Sequence, residues 1–134
     1  MNRTSNLFRQ IVFIAGILNF PIGLMMIVPA LLNPAPETLI TTTVVGAFIL
    51  FAGAALIWAS RDLKTRTPIV VWNGLVRGFS VLIVSYTAVI GHVPVEQLVV
   101  TGLDLILAII FTVGSVQITG TPFVKLVFAS GLES

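Results

Sequence analysis

The sequence predicts an all-α integral membrane protein, a four-helix bundle running up, down, up and down, with both termini cytoplasmic. Three observations carry the prediction. Hydrophobic residues make up 57% of the 134-residue chain and charged residues 9%, against about 25% charged in ordinary soluble domains; the mean hydropathy is +1.09. No formal charge falls between Arg9 and Glu37, Glu37 and Arg61, Arg77 and Glu96, or Asp104 and Lys125. Each gap approaches the ~20 apolar residues that cross a bilayer core of roughly 30 Å. The basic residues also fall on alternate connections, as a multi-pass topology requires.

A single transmembrane domain is expected over 1–134. Its first span, residues 7–32, follows the polar stretch Asn2, Arg3, Thr4, Ser5, Asn6. The run is longer than the 7 to 15 residues of a signal-peptide core and is followed by others, so it is expected to be a mature helix. Pro21 removes a backbone donor and predicts a kink near Phe20. Pro29, Pro34 and Pro36 predict that regular helix stops near Val28 and gives way to an irregular loop. The second span is expected at 38–60. A polar hinge from Arg61 to Thr67 then leads to Pro68, which suits the first turn of a third helix at 68–90. Gly91 stops that helix, and Pro94 with Glu96 opens the fourth at 94–118. The tail, 121–134, is apolar but too short to span, and is expected at the interface or docked on the bundle.

Orientation follows from the cations. Arg3 and Arg9 precede span one, Arg61, Lys64 and Arg66 lie between spans two and three, and Lys125 follows span four. The other loops hold no Lys or Arg, which places both termini in the cytoplasm by the positive-inside rule. Trp58 and Trp72 then fall near the cytoplasmic boundary, each with its indole N–H expected to be wet.

Helical periodicity of about 100° per residue assigns faces. On helix three, Asn73, Gly74, Arg77, Gly78, Ser80, Val81, Val84 and Ser85 share the inward side, and Trp72, Leu75, Phe79, Leu82, Ile83 and Tyr86 the lipid side. Helix four aligns Gln97, Thr101, Asp104, Ala108, Phe111 and Ser115. Helix one aligns Ala15, Gly16, Asn19, Gly23 and Met26, and helix two Thr42, Gly46, Leu50, Gly53 and Ile57. Each helix thus offers one small or polar face, as a bundle needs. Gly74, Gly78, Gly46 and Gly53 are the expected packing positions, because small residues let backbones approach where lipid supplies no hydrophobic drive.

Arg77 and Asp104 are the two charges deep inside the spans. A 1.5 Å rise puts Arg77 roughly 13 Å from the end near Pro68 and Asp104 about 10 Å from the end near Gln97. In a core of roughly 30 Å, their backbones then differ by only about 6 Å in depth. They are predicted to pair across helices three and four, with Asn19 or Asn73 adding hydrogen bonds. An unpaired charge at that depth costs about 3 kcal/mol, so a partner is strongly favoured. The cluster serves either as a structural ion pair or as a ligand site with Arg77 as the anion-binding member. Arg61, Lys64 and Arg66 set topology or hold anionic lipid headgroups.

Other chemistries find no support. The chain has no cysteine, which excludes thiolate metal sites and cysteine nucleophiles within it. His92, the single histidine, sits in a loop and cannot form a bis-His haem site. Ser80, Ser85 and Ser115 have no base nearby in their helices, and Asp62 and Glu37 fall on opposite sides of the membrane. The glycines match neither GxGxxG nor P-loop spacing. Thr41, Thr42 and Thr43 are read as capping and interfacial solvation. The pI of 9.7 reflects a formal charge of only +2, which membrane topology explains better than nucleic-acid binding.

The arrangement of Asn19, Pro21, Gly23, Leu24, Arg61, Asp62, Arg77, Gly91, Pro94 and Asp104 resembles small, uncharacterised bacterial four-helix integral membrane proteins. That resemblance implies a bacterial inner membrane and carries over no catalytic residue. The expected function is non-enzymatic: an accessory or scaffold subunit of a homo-oligomer or larger membrane complex, in contact with the lipid bilayer, with no cofactor, metal or nucleic acid. The alternative is a small oligomeric carrier with a midplane Arg77/Asp104 site. A lipid-modifying or isoprenoid-modifying enzyme using Asp104 as acid/base is the least supported.

Overall fold

A computed structural model describes residues 2–132 and is all-helical over them: α1 (Arg3–Leu32), α2 (Pro36–Ser60), α3 (Leu63–Ile90), α4 (Val95–Thr119) and α5 (Phe123–Val127). The four long helices are long and apolar enough to cross a membrane and are compatible with a four-helix bundle. The chain divides after Asp62 into two compact units. The first is the α1–α2 hairpin; the second is the α3–α4 hairpin with α5 against it.

Several boundaries differ from those expected, each for a local reason. α1 begins earlier, because Asn2 is its N-cap and accepts the Ser5 N–H at 2.8 Å, filling one of the vacant acceptor roles at a helix start. It also runs as one helix through Pro21 and Pro29 to Leu32, rather than stopping near Val28. Each proline removes one donor, but the carbonyl of Pro29 still accepts from Asn33 N at 3.0 Å and closes the final turn. α2 starts at Pro36, where the missing N–H is one that a first turn leaves unpaired in any case, and Glu37 answers the positive end of the dipole.

The largest correction concerns the segment after α2. The hinge from Arg61 to Thr67 is helical from Leu63 onward, so Lys64 and Arg66 belong to α3, and Pro68 lies inside the helix instead of opening it. The buried Thr67 hydroxyl donates to the Leu63 carbonyl, so this turn satisfies its own polar groups. α4 begins just after Pro94 and ends at Gly120, whose φ of 63° is the left-handed C-cap geometry that glycine adopts without strain.

The inward and outward faces follow the helical period. On α3, Gly74 is buried and Asn73, Arg77, Gly78, Ser80, Val81 and Val84 are half-buried, while Trp72, Leu75, Phe79, Leu82, Ile83 and Tyr86 are exposed. On α4, Thr101, Ala108, Phe111 and Ser115 are buried and Asp104 is half-buried. Ser85 and Gln97, assigned to the same stripes, are exposed and lie near the turn that joins α3 to α4.

In the first unit the seam is made of glycine. A Cβ on Gly16 would lie 2.8 Å from the Gly53 carbonyl oxygen, and one on Gly53 would lie 2.6 Å from the Gly16 carbonyl oxygen. Two turns away, a Cβ on Gly23 would meet the Gly46 carbonyl oxygen at 2.8 Å, and one on Gly46 the Gly23 oxygen at 3.0 Å. Real side chains do not tolerate contacts under 3 Å with backbone, so the two helices touch main chain to main chain. Between the notches Asn19, buried, donates from Nδ2 to the Ile49 carbonyl at 3.3 Å. This side-chain bond across helices adds polar cohesion to a seam otherwise held by dispersion.

In the second unit the tail docks on its own hairpin. Leu126 of α5 is fully buried, and the Trp72 indole N–H donates to the Val127 carbonyl at 2.8 Å. That N–H was expected to be wet; a backbone acceptor takes it instead. Within the tail segment, Glu133 and Ser134 lie outside the described residues.

Candidate functional site

Arg77 sits in the middle of α3 and Asp104 on α4, and their side chains meet: Nη1 donates to Asp104 Oδ1 at 2.7 Å. One turn back on α3, Asn73 lies on the same side, and its Oδ1 accepts from Arg77 Nε at 2.7 Å. Beneath the guanidinium lies Phe111, its ring centroid 5.8 Å from Cζ, within the range at which a ring face attracts a cation. The two charged side chains are 16% and 18% exposed, so water screens the contact only in part. Charge, hydrogen bond and ring therefore act on one guanidinium from three sides. A planar donor fork suits this arrangement better than a lysine ammonium does.

The structure thus brings Arg77, Asp104 and Asn73 together. Asn19, also assigned to this cluster from the sequence, takes part in the α1–α2 seam through Ile49. In the sequence Phe111 stands out only as a member of the α4 stripe. The available signal for its second role was its position seven residues beyond Asp104, two turns along the same face of the helix.

The predicted packing glycines separate into two groups. Gly46 and Gly53 stand at the closest approaches of the first hairpin, and Gly74 faces the Phe111 Cβ at 3.2 Å and the Ala108 carbonyl at 3.4 Å, measured from its own would-be Cβ. Gly78 does not join the α3–α4 crossing, because a Cβ there would meet nothing within 4 Å. It opens onto an apolar groove of about 580 Å³, lined among others by Phe79, Leu82, Leu105 and Ile109. Arg77 and Asp104 do not line that groove.

Hydroxyls inside the helices are mostly satisfied by the preceding turn. Thr43, Thr87, Thr101 and Thr119 each donate to the carbonyl four residues back, at 2.7 to 2.8 Å, a mode that lets a polar side chain sit in an apolar setting. The buried Ser115 Oγ is the exception, with no hydrogen-bond partner among the described residues. No group of three or more His, Asp or Glu that could hold a metal occurs among the described residues.

Arg61 caps the C-terminus of α2, whereas Lys64 and Arg66 lie in the first turns of α3. No family model, no curated protein and no solved structure matches the chain.

Proposed function

We propose that the protein is a multi-pass integral membrane protein of a bacterial cytoplasmic membrane, with both termini cytoplasmic. It acts without enzymatic chemistry, as an accessory or scaffold subunit within a homo-oligomer or a larger membrane complex. The observation that carries this reading is the closure of the Arg77 cluster. Asp104, Asn73 and Phe111 occupy the guanidinium, so the pair serves to join α3 to α4. The large apolar side chains on the outer faces, among them Phe48, Phe51, Phe79 and Tyr86, supply the surface that lipid or a neighbouring subunit covers.

The test is a mutational cycle in the membrane-inserted protein. Arg77→Gln and Asp104→Asn each leave one charge without its partner, and each is expected to destabilise the fold by about 3 kcal/mol. The double variant is expected to recover most of that loss, read by SDS titration of the reconstituted chain. Single variants as stable as the native protein overturn the structural reading and favour a carrier in which the pair opens. Purification in gentle detergent supplies the second measure: co-purifying subunits or an oligomer support the accessory role, and a solitary monomer counts against it.

A further inference from the structure

At the end of the first hairpin where α1 begins and α2 stops, Arg9, Gln10, Phe13, Ser60 and Arg61 line one cleft of about 270 Å³. Arg9 and Phe13 are one helical turn apart on α1 and so stack on the same side. Arg61 arrives from the other helix as its C-cap. A cation in that position is commonly engaged by the unpaired carbonyls of the last turn. Here three of those carbonyls are already answered: Ser60 Oγ donates to Ile57 O at 2.7 Å, Arg61 N to Trp58 O at 3.3 Å, and Asp62 N to Ala59 O at 3.1 Å. The Arg61 guanidinium is left over. Neither it nor that of Arg9 has a hydrogen bond or ion pair among the described residues.

Two like charges lining one small cleft repel each other, and an anion between them turns that repulsion into two attractions. Guanidinium forks match the oxygens of a phosphate in a bidentate fashion, and the Gln10 amide adds a neutral donor. Phe13, one turn further into the apolar stretch of α1, gives the cleft a hydrocarbon wall on its deep side. We propose that this cleft is a phosphate-binding site, built for a phosphate that carries an apolar body, as an anionic phospholipid does. The phospholipid form of the inference rests on the reading that this hairpin crosses a bilayer; binding of phosphate itself does not.

The experiment uses the full chain purified in neutral detergent. Native mass spectrometry measures retention of short-chain phosphatidylglycerol against phosphatidylcholine, with inorganic phosphate as competitor. Phosphatidylglycerol is expected to be retained preferentially. Arg9→Gln and Arg61→Gln should each weaken it about fivefold and the pair about 25-fold, while Arg3→Gln changes nothing. Phe13→Ala should weaken retention of the lipid without altering the binding of inorganic phosphate; lipid retention equal in native and Phe13→Ala protein, with inorganic phosphate still displacing it, assigns the site to a free phosphate. Equal retention of the two lipids with no effect of phosphate overturns the proposal, as does a loss in Arg3→Gln matching that in Arg9→Gln. Thermal melts confirm that the variants fold. Vesicle flotation reads the membrane assignment separately, so a chain that floats without lipid preference loses the site and keeps the topology.

Discussion

Between α1 and α2 the closest contacts run from backbone to backbone at Gly16, Gly53, Gly23 and Gly46, whereas between α3 and α4 the defining contact runs from side chain to side chain at Arg77 and Asp104. Both hairpins face the same difficulty if they lie in lipid, where burying apolar surface against a neighbour gains little over burying it in acyl chains. The first hairpin resolves it by removing side chains until main chains touch and dispersion accumulates. The second resolves it with charge, where low local dielectric makes an ion pair strong and its rupture costly. Close packing tolerates no addition, and the ion pair tolerates no subtraction.

That contrast can be broken by adding to one hairpin or subtracting from the other. The largest effect is expected from Gly53→Val, whose Cβ would lie 2.6 Å from the Gly16 carbonyl oxygen. Overpacking of this kind costs about 3 kcal/mol, and SDS titration should show α1–α2 separating while the α3–α4 pair persists. Phe111→Leu subtracts the ring below Arg77 and part of a fully buried volume, with an expected loss of about 1 to 2 kcal/mol on the same assay. Gly78→Ala is the matched control, a glycine with open space where its Cβ would go. Its stability should stay within about 0.5 kcal/mol of the native protein. A loss as large as that of Gly53→Val would show that Gly78 is covered by something other than the α3–α4 crossing.

Much of this was legible in the residues. The faces of α3 and α4 follow from 3.6-residue periodicity, since Leu75, Phe79 and Leu82 fall on one side and Gly74, Arg77 and Val81 on the other. The meeting of Arg77 and Asp104 follows from depth along two antiparallel helices, because rise per residue is nearly constant. The start of α3 was not legible. Pro68 signals a first turn, whereas the helix already runs from Leu63, with the Thr67 hydroxyl on the Leu63 carbonyl. Nor could the match of Gly16 to Gly53 be read, since it depends on how the loop through Asn33, Pro34 and Ala35 sets one helix against the other. The bond from Trp72 to Val127 joins positions far apart in sequence, and no local pattern announces it.

The two glycine notches of the first hairpin also fix how α1 can lie along α2. They pair in antiparallel order, Gly16 with Gly53 and Gly23 with Gly46, so both engage at one axial setting only. A slide of a single turn sets each glycine opposite a residue that carries a Cβ, and the backbones must part. A slide of two turns keeps at most one notch. The hairpin therefore works as a vernier with one coincident mark: thermal motion can bend or tilt it, but cannot let one helix creep past the other without losing the contact that joins them.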